Sequence, residues 1–92
     1  MDKAIGVFDS GIGGLSILNS LVEKLPYENF IYLSDNKNCP YGNKSKEQII
    51  NFSLKNSKKL IELNCKMIIV ACNTATTNSI DLLREKITVP II

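Results

Sequence analysis

The feature that most constrains this chain is an alternation. Short apolar runs, each too short for a helix, alternate with stretches whose apolar residues recur at steps of three and four. Ala4 to Phe8 is the first run, and it ends in Asp9-Ser10-Gly11-Ile12-Gly13-Gly14. A continuous apolar run that stops at glycines is the pattern of a strand buried on both faces as it enters a turn. Leu15, Leu18, Val22 and Leu25 then share a helical face, closed by Pro26. Phe30 to Leu33 reads as a second strand. The connection that follows, Asp35 to Lys44, is longer than the roughly 2–6 residues usual between a strand and its helix. Ser45-Lys46-Glu47-Gln48 has the form of a capping box, with Ser45 as N-cap. Beyond it Ile50, Leu54 and Ile61 share a face, with Ile49, Phe52, Leu60 and Leu63 beside them. Met67 to Ala71 reads as a third strand running into a helix start at Cys72-Asn73-Thr74-Ala75, and Thr76, Ile80, Leu83 and Ile87 continue the helical spacing. Val89-Pro90-Ile91-Ile92 reads as a fourth strand.

The expected fold class is therefore α/β: a four-stranded, mostly parallel sheet with helices on both faces, its strands near 4–8, 29–34, 67–72 and 88–92. At 92 residues the whole of 1–92 is expected to be one domain, and a chain that stops inside an apolar strand reads as an incomplete one. Uncovered apolar strand edges predict association, a homo-oligomer, or a marginal monomer.

Composition removes several function classes. Eleven Lys and Arg against nine Asp and Glu leave a net charge of only +2, and the lysines between Lys44 and Lys66 are spread along a predicted helix. That is a solvated face, so neither nucleic acid nor an anionic membrane is expected as partner. No apolar run approaches the roughly 20 residues that span a bilayer, and the opening run is too short for a signal peptide. Cys39, Cys65 and Cys72 are an odd set without CxxC spacing, which argues against a disulfide framework and a zinc site and fits the reducing cytoplasm. With no histidine in the chain, proton chemistry falls to Cys, Asp, Glu, Lys or Tyr.

Three segments map beyond the carboxyl ends of the strands, where open parallel sheets bind ligands: Asp9-Ser10-Gly11, Pro40-Tyr41-Gly42 and Cys72-Asn73-Thr74. The glycine turn offers bare backbone N–H groups at a helix start, a cradle for a carboxylate or phosphate; equally, its glycines could serve the turn alone and Asp9 only cap the helix. A dinucleotide fingerprint is not formed, because Ser16 stands where the last glycine of GxGxxG belongs. Cys72 begins a helix, where negative charge on sulfur is favoured, though a buried inert thiol is the commoner fate of such a cysteine. Cys39 and Cys65 lack a helix start behind them and read as non-catalytic. Tyr41 either orients a substrate or packs the loop.

Val7 to Leu15, Asp35 through Pro40-Tyr41-Gly42, and Val70 to Thr76 together resemble the glutamate racemase branch of the aspartate/glutamate racemase family, in its order and spacing and over the whole chain. That resemblance implies a flavodoxin-like half, the N-terminal one, of a two-domain enzyme that uses no metal or pyridoxal cofactor. It implies glutamate as substrate and D-glutamate for peptidoglycan, hence cell-wall biogenesis and cell shape, as product and role. By the same resemblance Cys72 is the first catalytic cysteine, acting on the D-enantiomer, with Asp9 assisting it. Asp9 and Ser10 would touch substrate, as would Tyr41 and Gly42 from the loop, and Asn73 and Thr74 would meet the substrate carboxylate. The family's second cysteine lies in a Gly-Cys-Thr-His segment of a C-terminal domain; no such segment occurs in these residues. One base of two is thus expected here. The alternatives are an aspartate racemase, a non-catalytic amino-acid-binding half-domain, and a flavodoxin-like nucleotide module, which the mismatch at Ser16 disfavours.

Overall fold

A computed structural model of the chain describes residues 3–11, 14–39 and 41–92. Ile12 and Gly13 of the expected glycine turn, Pro40 of the loop, and Met1 and Asp2 lie outside the described residues. The elements follow in the order β1 (Ala4–Asp9), α1 (Gly14–Lys24), β2 (Phe30–Ser34), α2 (Lys46–Glu62), β3 (Cys65–Val70) and α3 (Asn73–Lys86). Short 3₁₀ turns at Asn36–Asn38 and Tyr41–Asn43 give the long connection structure of its own.

The sheet is parallel, in the order β2-β1-β3. From β1 the chain crosses one way to β2 and then back past β1 to β3. With right-handed crossovers, α1 therefore lies on one face and α2 on the other. α3 packs against α2. Central β1 is buried at every residue, as a strand covered on both sides must be. Ala4, Gly6 and Phe8 point toward α2: a Cβ on Gly6 would come within 3.0 Å of Cys65 Sγ and 3.1 Å of Leu60. Ile5, Val7 and Asp9 point toward α1.

Four expectations need correction. Among the described residues the sheet has three strands, not four. Residues 88–92 contribute one isolated parallel bridge, Ile68 to Ile91, carried by Ile68 N–H to the Pro90 carbonyl and Ile92 N–H to the Ile68 carbonyl, each 2.9 Å. Pro90 has no N–H of its own to extend that ladder. The third strand is Cys65–Val70 rather than 67–72. Asn64, at φ 69°, ends α2 in the left-handed conformation that asparagine tolerates, so Cys65 opens the strand and does not close the helix. A register shift then pairs Ala4 with Cys65 but Ile5 with Met67, leaving Lys66 exposed and ion-paired with Glu28.

The helix faces differ as well. α2 buries Ile49, Ser53, Ser57 and Leu60, and α3 buries Ala75, Ser79 and Leu83. The expected apolar positions Ile50, Leu54, Ile61, Thr76 and Ile80 flank these lines and are half-buried. Small residues at the centre let the two helices approach closely; the Ser53, Ser57 and Ser79 hydroxyls are buried with no hydrogen-bond partner among the described residues. In α1 only Gly14 is buried, while Leu15 and Val22 of the expected face are 56% and 47% exposed. The capping box stands as expected: Gln48 N–H donates to Ser45 Oγ at 3.1 Å and Ser45 N–H to Gln48 Oε1 at 3.0 Å. Among the described residues no helix is long and apolar enough to cross a membrane.

Candidate functional site

The three expected segments meet at the carboxyl end of the sheet. β1 delivers Asp9 and Ser10, the 3₁₀ turn Tyr41–Asn43 delivers Tyr41 and Gly42, and the junction of β3 with α3 delivers Cys72, Asn73 and Thr74.

Asp9 is fully buried. Its carboxylate accepts hydrogen bonds from the Gly11 N–H, the Tyr32 hydroxyl and, at 3.2 Å, the Ser34 hydroxyl. Gly14 opens α1 directly against it; a Cβ there would fall 1.7 Å from Asp9 Oδ2, so only glycine fits. Gly11 has φ 104°, and a side chain on it would also meet Asn36 Oδ1 at 2.6 Å and Cys39 at 3.2 Å. Both glycines thus serve the carboxylate's setting and not the turn alone. Tyr32 and Ser34 are site residues that the sequence reading missed. The parallel register holds the signal: Tyr32 pairs with Val7 and Ser34 with Asp9, so both project on Asp9's side of the sheet.

Cys72 is the N-cap of α3, as expected. It is 8% exposed, and its thiol donates to Ser10 Oγ at 3.3 Å while the sulfur accepts the Ala75 N–H at 3.5 Å. An N–H aimed at sulfur from a helix start is the setting that favours negative charge there. The Cys72 carbonyl accepts both the Thr76 N–H and the Thr76 hydroxyl at 2.9 Å, which braces this first turn. Side-chain alternation sends Asp9 and Ser10 to opposite faces, and among the described residues no hydrogen bond joins Asp9 to Cys72.

The other thiols sit differently. Cys65 lies at the opposite end of β3 against Gly6, and burial pushes its thiol up from the usual range. Cys39 is half-buried beside Gly11. Among the described residues no group of His, Cys, Asp and Glu side chains is placed to hold a metal ion.

Tyr41 is buried, its ring 6.2 Å from that of Phe8 and 5.5 Å from that of Phe52. Its hydroxyl donates to Asp35 and accepts from Asn56 at 3.2 Å, so it is committed internally. Gly42, Asn73 and Thr74 remain at the surface of the sheet end, Thr74 half-buried and the others exposed.

No protein-family model matches the chain. A glutamate racemase from Clostridium acetobutylicum is 54% identical over 85 residues, which are 92% of this chain and 33% of that protein. The glutamate racemase of Francisella tularensis, solved in complex with D-glutamate, superposes with a TM-score of 0.92 at 43% identity, over 99% of this chain and 35% of that one. The Escherichia coli glutamate racemase, solved with L-glutamate and the activator UDP-MurNAc-ala, gives a TM-score of 0.93 at 38% identity, over 100% of this chain and 35% of that one. Sequence and fold alike match glutamate racemases. The chain spans about a third of the length of these relatives.

Proposed function

We propose that these residues form one wall of a cofactor-independent glutamate racemase, with Cys72 as one of its two bases. The observation that carries the reading is the Cys72 thiol, buried at a helix start and hydrogen-bonded to Ser10 across the sheet end. Its thiolate removes the α-proton of bound D-glutamate and becomes the thiol. A second thiol, in a C-terminal domain outside these residues, delivers a proton to the opposite face and becomes the thiolate. The L-enantiomer leaves, and the reverse reaction exchanges the roles. The electron pair left on the α-carbon is delocalised into the carboxylate. Asn73, Thr74, Gly42 and the amides of the helix starts stabilise it there, in a preorganised setting. Asp9 assists indirectly, by holding the turn that presents Ser10 to the thiol. Substrate contacts fall to Ser10, Tyr41, Gly42, Asn73 and Thr74, with Tyr41 using its backbone because its hydroxyl is occupied; the buried Asp9 carboxylate, expected to touch substrate, is taken up by Gly11, Tyr32 and Ser34. The D-glutamate so made would supply peptidoglycan in the cytoplasm, a role supported by the activator in the E. coli relative's complex.

A second reading follows from the span of the chain: these 92 residues alone bind an amino acid without turning it over. Incubation with each glutamate enantiomer in deuterated water separates the two. The chain alone is expected not to racemise glutamate; exchange of the α-proton without inversion would mean one working base, no exchange would favour the second reading, and no racemisation by the full-length protein would overturn the proposal.

A further inference from the structure

The long connection after β2 is tied to the body of the domain through one carboxylate. Asp35 follows β2 directly, and its N–H donates to the Asp9 carbonyl at 3.0 Å, which fixes it to the end of β1. Its side chain is half-buried and takes donors from three directions. Asn38 Nδ2 reaches Oδ1 at 3.0 Å and Oδ2 at 3.1 Å; Asn56 Nδ2 reaches Oδ2 at 3.0 Å; the Tyr41 hydroxyl donates to the same oxygen. Asn56 stands on α2, more than two turns from its start, and also donates to the Tyr41 hydroxyl at 3.2 Å. The four residues form a closed polar cluster joining β1, the loop and α2. Just past Tyr41 the chain emerges: a Cβ on Gly42 would meet nothing within 4 Å.

We propose that Asp35 and Asn56 are positioning residues, which hold the Tyr41–Gly42 turn at the sheet end opposite Cys72 so that its backbone can meet the substrate. This rests on the racemase reading of the site. Neither side chain touches the reacting atoms. Asp35 acts as the common acceptor, and Asn56 sets the distance between the turn and α2. The ionisation states agree with those roles. Burial raises the Asp35 carboxyl, but the hydrogen bonds from Tyr41, Asn38 and Asn56 outweigh it and hold the group below its ordinary range. Burial, and then the Asp35 carboxylate, push the Tyr41 hydroxyl far above its own. The pair therefore stays a neutral donor and a charged acceptor throughout the physiological range.

The test uses the full-length protein with Asn56→Ala and Tyr41→Phe, the second keeping the ring and its packing. Each removes two of the cluster's hydrogen bonds, including one to the Asp35 carboxylate, so KM for D-glutamate is expected to rise about tenfold or more with kcat within about twofold. Amide hydrogen exchange across 39–45 is expected to quicken about tenfold in both variants, with the β3 amides unchanged. Faster exchange with an unaltered KM overturns the positioning role and leaves only a structural brace. Unaltered exchange overturns it whatever KM does. If the wild-type protein does not turn over glutamate, the racemase reading fails by itself; unaltered exchange then overturns the tethering too, and quickened exchange upholds the tethering alone.

Discussion

The two faces of this sheet are finished differently. On one, α2 and α3 press against β1 and β3 around a continuous apolar cluster that includes Phe8, Leu60, Ile68, Leu83 and Ile91. Serines and alanine at the helix crossing bring the backbones close. On the other, α1 lies over β1 and β2 with one buried residue, Gly14, while Leu15, Ile17 and Val22 remain exposed. The chemistry divides with the packing. Cys72, Ser10 and Tyr41 belong to the tightly packed side, whereas Asp9 projects to the α1 side and is satisfied by polar groups from β2. A base at Cys72, as proposed, would need a neighbourhood that resists relaxation, and close packing on the α2–α3 side supplies one. An apolar stripe left bare on α1 is the kind of surface that other protein mass covers, and the relatives this chain matches are about three times its length.

The contrast can be broken by substitution. The largest effect is expected for Cys72→Ser in the full-length protein, which should lower racemisation by about 10²–10⁴-fold or more, the worth of a general base. Cys65→Ser and Cys39→Ser should stay within about fivefold of wild type. Full activity of Cys72→Ser would show that the wrong cysteine has been chosen. Next, Leu60→Ala should destabilise the fold by about 2–5 kcal/mol, because its side chain, projecting from α2 against Gly6 of β1, is fully buried. Urea unfolding measures it, and a loss below about 1 kcal/mol would deny that this side is the tighter one. An intermediate effect is expected in acid. A carboxyl held below its unfolded value contributes stability that is complete above that unfolded pKa, about 3.9 for aspartate, and is lost as pH falls through the folded value. Asp35 is such a group. The urea midpoint should therefore fall as pH drops from about 5 toward 2, less steeply in Asp35→Asn. Equal slopes would remove Asp35 from the account. The smallest effect is expected on α1: Val22→Ser should change stability by no more than about 0.5 kcal/mol, while reducing self-association of the 92-residue chain in ultracentrifugation.

What was legible in the sequence was local. The apolar run 4–8 reads as a buried strand because β1 is covered on both sides. The Ser45–Gln48 box and the N-cap at Cys72 are short-range hydrogen-bond patterns, and both formed. Three features were hidden because they depend on partners far along the chain. Ser53, Ser57 and Ser79 look like surface residues until two helices cross over them. Tyr32 and Ser34 become site residues only through strand register. The start of β3 depends on a non-glycine left-handed residue, Asn64, which carries no strong local mark. The expected face of α1 failed for another reason: its periodicity is real, but Leu15, Val22 and Leu25 are only partly covered by the described residues.

The setting of Asp9 also bears on how the strands find one another. Beside the local Gly11 N–H, its carboxylate gains two hydroxyl donors when Ser34 lies opposite it and Tyr32 opposite Val7. Sliding β2 by one residue would place either Leu33, with no donor, or Asp35, with a like charge, beside a buried anion. A slip of two would forfeit one of the two hydroxyls. The carboxylate thus favours one register of assembly: a misaligned β1–β2 pair leaves a buried charge with fewer donors than the aligned one provides.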